Sequence, residues 1–241
     1  MIGLFAASSG EIAKGIVPLA QVCFPLLSLT PGPRLCCHPR MAKKKTILPK
    51  KKVLIPIGDA TEVMDTLYPI FRLPEDGFEA VVCGPEARLY HGVLHEIPPT
   101  AEGEPKWDIT RESPAYHVRA TVAFRDVKPE EYCGLFISGG RAPEYLRYDQ
   151  DLLRITRHFF AANKPVASVC HGIEILTAAD VIKGRTVTTV AKCELDAVQG
   201  GAKYVNQRVV VDGNLVCSRV WMDNTWLMKE FMAMLKRYVG E

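Results

Sequence analysis

From residue 52 onward, short apolar runs alternate with amphipathic stretches, and few folds accept that rhythm. Val53-Leu54-Ile55-Pro56-Ile57 has strand character and ends at Gly58-Asp59. Over residues 62–72, Val63, Leu67, Ile70 and Phe71 recur near a 3.6-residue period, which predicts a helix. Phe78 to Cys83, Tyr116 to Phe124 and Leu135-Phe136-Ile137 predict strands. Residues 149–162 predict an amphipathic helix, and Pro165 to Val169 a further strand. Beyond these, residues 173–182 predict helix and 186–190 strand. Residues 209–217 predict a hairpin turning at Asp212-Gly213-Asn214, and 222–238 a closing helix. The segment from Gly84 to Pro114 is rich in Pro, Gly and charge and reads as an unusually long connection. Strands that are apolar along their whole length must be covered on both faces. The alternation therefore implies an α/β domain with a mostly parallel sheet between layers of helix.

The run Lys164-Pro165-Val166-Ala167-Ser168-Val169-Cys170-His171-Gly172-Ile173 places a thiol where strand gives way to helix. A nucleophile on such a turn is lifted out of the sheet on a strained backbone. Amide groups at a helix start favour the thiolate, which is the reactive form. His171 supplies a base one residue away, and Gly172 lets the backbone pass closely. A cysteine ending a core strand is more often a small apolar packing residue. The following His-Gly and the change of period favour a site. In parallel α/β sheets such sites lie beyond the carboxyl ends of the strands. The loop before Glu62, Gly139-Gly140 and Cys170-His171 are all placed there, so they are expected to converge on one cleft.

The 241 residues suffice for one α/β domain with an extension, and a net charge of +3 names no polyanionic partner. The lysines at 43–45 and 50–52 precede the first strand and read as a solvated tail, so no nucleic-acid partner is expected. Eight cysteines, of which Cys83, Cys133, Cys170 and Cys217 stand at wide spacings beside predicted strands and none forms a C-x-x-C pair, suit a reducing cytoplasm better than a disulfide scaffold. Cys36-Cys37-His38 lacks a second ligand pair, so no metal is expected. Pro18 and Pro25 interrupt the apolar stretch at 15–29, and a span needs about 20 unbroken apolar residues, so no membrane partner is expected. Residues 1–51 are expected to be a disordered extension or to include sequence ahead of a true start at Met41. Residues 52–241 are expected to form the domain.

The motifs Gly58-Asp59-Ala60-Thr61-Glu62, Gly139-Gly140-Arg141-Ala142-Pro143-Glu144-Tyr145-Leu146, Ala167-Ser168-Val169-Cys170-His171-Gly172, Val211-Asp212-Gly213-Asn214 and Ser218-Arg219 occur in this order. Together they resemble the DJ-1/PfpI superfamily, most closely its PfpI-like intracellular protease branch and the plant D-type members described as glyoxalase III. Residues 105–123, with Trp107-Asp108 and Tyr116-His117, are similar to the plant members. The resemblance implies a flavodoxin-like three-layer sandwich with a cysteine nucleophile elbow. It implies Cys170 as nucleophile, Glu62 as the acid at its sulfur and His171 as base. It also implies that Glu144 reaches His171 across a dimer interface. Gly139, Gly140 and the amide of His171 would bind an oxyanion. The implied activity is cofactor-independent, on 2-oxoaldehydes such as methylglyoxal or on glycated substrates, in a homodimer or a hexamer built as a trimer of dimers. A cysteine peptidase and a redox-sensing or chaperone-like stress protein are the alternatives. Val63 after Glu62, and Trp221 near the pocket rim, depart from the family pattern. A class I glutamine amidotransferase is excluded, since no histidine follows His171.

Overall fold

Val53, Leu54 and Ile55 are wholly buried, as are Leu135, Phe136 and Ile137, because both faces of their strands are covered by helices. The computed structural model describes residues 51–96 and 111–241. The expectations for residues 1–50, with Met41, and for Trp107-Asp108 lie outside the described residues.

The described residues open with β1 (Lys52–Pro56), a two-residue β2 (Thr61–Glu62), α1 (Val63–Glu75) and β3 (Glu79–Gly84). Next come β4 (Leu89–Glu96), β5 (Arg111–Arg119), β6 (Val122–Ala123) and β7 (Gly134–Ile137). Helices α2 (Ala142–Leu146) and α3 (Gln150–Ala161) lead to β8 (Val166–Val169) and α4 (Ile173–Ala178). Then β9 (Thr186–Val187), α5 (Glu194–Gln199) and β10 (Lys203–Tyr204) precede the hairpin of β11 (Val209–Asp212) and β12 (Leu215–Ser218). The chain closes with α6 (Asn224–Val239).

The central seven-stranded sheet has the order β11-β12-β8-β7-β1-β3-β6. Every neighbouring pair in it is parallel except the β11–β12 hairpin. Helices α1 and α6 pack together, α1 on β3 and α6 on β8 and β12, while α3 packs on α4 and β7. The approach of α6 is close: a Cβ on Gly134 would lie 2.5 Å from Leu235 Cδ2. This is the mixed α/β architecture expected from the alternation.

Some expectations need correction. The segment 84–114 holds β4 and the start of β5, which pair antiparallel through Leu89↔Arg119 to Glu96↔Arg111. With β2 they form a separate three-stranded sheet beside the site. Residues 186–190 supply only β9, which pairs with β10 outside the central sheet. On α1 the buried side is Val63, Asp65, Thr66, Pro69 and Leu73, whereas Phe71 is 66% exposed.

Candidate active site

Strand β8 delivers Cys170 into the left-handed region, with φ +55°. For a residue with a Cβ that conformation costs about 1–2 kcal/mol and persists only where the surroundings enforce it. They do so here. Thr189 Oγ1 donates a 2.5 Å hydrogen bond to the Cys170 carbonyl. A Cβ on Gly172 would stand 2.7 Å from Ser168 Oγ and 2.9 Å from the Ile137 carbonyl, so only glycine lets the turn seat against β7 and β8. Residues Cys170–Gly172 make one 3₁₀ turn before α4, which ends at Ala178 rather than at 182.

The Cys170 side chain lies 3.2 Å, Sγ to Nδ1, from the imidazole of His171, and both residues are buried. Burial, reinforced by Lys192 and His95, lowers the His171 pKa to about 4. The ring is therefore neutral at physiological pH, with one nitrogen free to accept a proton.

Two carboxyl groups approach from the start of α1. Glu62 is the N-cap, and its Oε2 accepts the Asp65 amide hydrogen at 2.7 Å. Its Oε1 is buried without a partner. Asp65 is wholly buried, and its Oδ1 accepts from Asn224 Nδ2 at 3.1 Å. The point where a Cβ on Gly139 would sit is 2.7 Å from Asp65 Oδ2 and 3.1 Å from Cys170 Sγ. Gly139 thus forms a floor shared by the thiol and the Asp65 carboxyl. Burial raises Glu62, and burial with repulsion from Glu62 pushes Asp65 well above the usual carboxylate range. Of the pair, Asp65 holds the proton: Glu62 keeps a backbone hydrogen bond at a helix N-terminus, which stabilises its charge.

The three expected segments do meet. Glu62 donates its amide hydrogen to the Gly139 carbonyl at 3.1 Å, and Thr61 bridges Gly140. Gly140 has φ +85°, and a Cβ there would lie 2.3 Å from the Glu62 nitrogen. The Gly139 amide faces the Asp65 carboxyl, where it opposes the rise in that group's pKa. Glu144 lies exposed on α2. Among the described residues no hydrogen bond or ion pair joins it to His171. Trp221 is half-buried, in the turn before Asn224.

Sequence reasoning missed Asp65, Asn224 and His95. Asp65 sits at i+3 from Glu62, a spacing typical of helix starts and readable as a clue. His95 is buried on β4, its Nε2 3.2 Å from Glu112 Oε2, and Arg141 clamps Glu112 through bonds of 2.6 and 2.8 Å. No signal marked His95, because its strand was read as a loop.

The model of the DJ-1/PfpI family matches residues 51–234. A deglycase of Pyrococcus abyssi is 37% identical over 185 residues, covering 77% of this chain and 99% of the relative. Protein DJ-1 homolog D of Arabidopsis thaliana is 34% identical over 190 residues, covering 77% of this chain and 48% of that protein. Among solved structures, a two-domain protein of Anabaena variabilis with DJ-1/ThiJ/PfpI-like and ferritin-like domains is 30% identical. Its TM-score is 0.64, over 78% of this chain and 48% of that one. The DJ-1 of Schizosaccharomyces pombe shares the fold, with a TM-score of 0.62 at 15% identity over 78% of this chain and 95% of that one. Since the family model spans the sheet, the elbow and the carboxyl-bearing helix start alike, the chain belongs to the DJ-1/PfpI family.

Proposed function

We propose that this protein is a cofactor-independent enzyme that uses Cys170 to convert 2-oxoaldehydes such as methylglyoxal to 2-hydroxy acids, or removes the same adducts from glycated molecules. The observation that carries the reading is the single floor at Gly139, against which a strained thiol and a buried carboxyl both rest. Relatives described as deglycases, matched over 99% of their length, support it.

The thiolate of Cys170 adds to the aldehyde carbon, and the carbonyl oxygen takes a proton to give a hemithioacetal. The neutral imidazole of His171, 3.2 Å from the sulfur, accepts the thiol proton at the outset. The imidazolium hands that proton to the hemithioacetal oxygen, and the ring, neutral again, removes the hydrogen from the former aldehyde carbon. The resulting enediol is reprotonated at the neighbouring carbon, leaving a 2-hydroxy thioester on Cys170. Water hydrolyses that ester, so the balance is aldehyde plus water to hydroxy acid, with the thiol regenerated. Asp65, protonated by its burial, donates to the developing oxyanion or to the sulfur. Glu62, ionised, holds the Asp65 backbone in place through that amide. The amides of Gly140 and His171 cradle the oxyanion, while that of Gly139 faces the Asp65 carboxyl. Glu144 completes the site from a second copy, in a homodimer or a trimer of dimers.

The test supplies methylglyoxal without glutathione to the protein and to Cys170→Ser, and follows aldehyde loss and lactate together. Catalytic lactate lost in the variant is expected. Stoichiometric aldehyde loss without lactate would reduce Cys170 to a trap and overturn the enzymatic reading.

A further inference from the structure

The elbow histidine has a second set of neighbours that the chemistry above does not use. His171, Glu174 and Cys193 each present a ligand atom, and these atoms lie within 4.8 Å of one another. Glu174 is on α4, three residues beyond His171, and Cys193 ends the turn Ala191–Cys193 that leads into α5. All three are buried. Cys193 Sγ lies 3.7 Å from Glu174 Oε1, while Arg147 Nη1 lies 3.3 Å from Glu174 Oε2. That oxygen is buried and receives no hydrogen bond. Arg147 is shared with Asp196, 3.2 Å away, so it orients the Glu174 carboxylate without neutralising the whole cluster.

One imidazole, one carboxylate and one thiol are the donors that zinc takes in proteins. A tetrahedral zinc with bonds of about 2.3 Å to sulfur and about 2.0 Å to nitrogen separates those two atoms by about 3.5 Å. The ligand atoms lie within 4.8 Å of one another, so movements of roughly 1 Å bring them to that spacing. With Glu174 and Cys193 both anionic, the ligands balance the charge of a divalent ion.

We propose that His171, Glu174 and Cys193 form a zinc-type metal site that switches the cleft off by taking its histidine. On binding, the Cys193 thiol proton passes to solvent, and the imidazole is no longer available beside Cys170. The inhibitory consequence rests on the role given to His171 above, whereas metal binding does not.

The measurement is cobalt(II) titration of the full-length protein, read by thiolate-to-metal absorption, followed by zinc competition. Differences between variants are read rather than total uptake, because Cys36, Cys37 and His38 can take metal themselves. The absorption should be unchanged in Cys170→Ser and reduced by one site's contribution in Cys193→Ser. Glu174→Gln, which needs no change at a packed sulfur, should weaken zinc binding by about tenfold or more. In metal-free buffer Cys193→Ser should keep wild-type turnover and resist zinc, while the wild type is inhibited and recovers with chelator. No variant-sensitive band, or a band that follows Cys170 instead of Cys193, would overturn the site. If no form turns over methylglyoxal, the enzymatic reading fails, yet the cobalt band still decides the metal site.

Discussion

Gly139→Ala adds one methyl group at the point where the account says the nucleophile and its acid meet. The new Cβ would sit 2.5 Å from Cys170 Cβ, 2.7 Å from Asp65 Oδ2 and 3.1 Å from Cys170 Sγ. Carbon atoms in contact rest at about 3.5–4.0 Å, so the overlap with Cys170 is about 1 Å or more. Gly139 is not among the residues with positive φ, so alanine meets no backbone penalty and the whole effect is steric. Neither neighbour yields easily: Cys170 is fixed by the Thr189 bond to its carbonyl, and Asp65 by Asn224 and the Glu62 cap. Overpacking of this kind costs about 1–3 kcal/mol. For a chain of this size that lowers the melting temperature by roughly 2–12 °C. Displacing Sγ should also slow Cys170 alkylation by iodoacetamide, followed by peptide mass spectrometry. Gly77→Ala is the control, since nothing lies within 4 Å of its Cβ and only its φ of +75° resists. It should lose about 1–2 kcal/mol and leave alkylation unchanged. A Gly139→Ala protein with wild-type melting and wild-type alkylation would refute the shared floor.

Thr189→Val removes the hydrogen bond that holds the strained Cys170 carbonyl. It should cost about 1 kcal/mol in urea unfolding and slow Cys170 alkylation; unchanged alkylation would mean the elbow is held elsewhere. For Asp65→Asn the sign of the pH effect follows from the raised pKa. Above the ordinary carboxylate range the folded wild type retains a proton that the unfolded chain has released, so wild-type stability falls as pH rises through that window. The variant lacks this slope, so its stability relative to wild type should rise as pH increases above the ordinary carboxylate value of about 4, while turnover is lost. A difference that is constant with pH would show that Asp65 is ionised in the folded protein. Glu144→Gln should lower turnover in the assembled protein, and wild-type activity should fall on dilution below the assembly concentration. A fully active monomer would exclude the role given to a second copy.

The parallel sheet and the elbow were legible because their signals are local. A wholly apolar strand has no solvent face, and Cys-His-Gly at its end announces the turn. Gly139-Gly140 followed from strand β7 in the same way, and Gly140 needs glycine for a reason the sequence hints at but cannot measure, the 2.3 Å approach of the Glu62 nitrogen. The helical period of α1 gave its spacing but not which side faces inward. Phe71 was placed in the apolar stripe and is exposed, whereas Asp65 and Thr66 are buried. A buried acid is legible only through what surrounds it, and Asn224, which lies 159 residues away in the chain, is its partner. The same holds for His95: β4 interleaves Leu, Tyr and Val with His, Gly and Glu, and it pairs in a side sheet rather than crossing the core. Cys193 and Glu174, 19 residues apart, likewise meet only through packing of α4 against α5.

The most direct test of the central claim is single-turnover mixing of the protein with methylglyoxal, quenched in time and read by peptide mass spectrometry alongside lactate. The account predicts a covalent adduct on the peptide carrying Cys170 that forms and then decays as lactate appears. Lactate formed while that peptide stays unmodified, or formed at the same rate by Cys170→Ser, would contradict it.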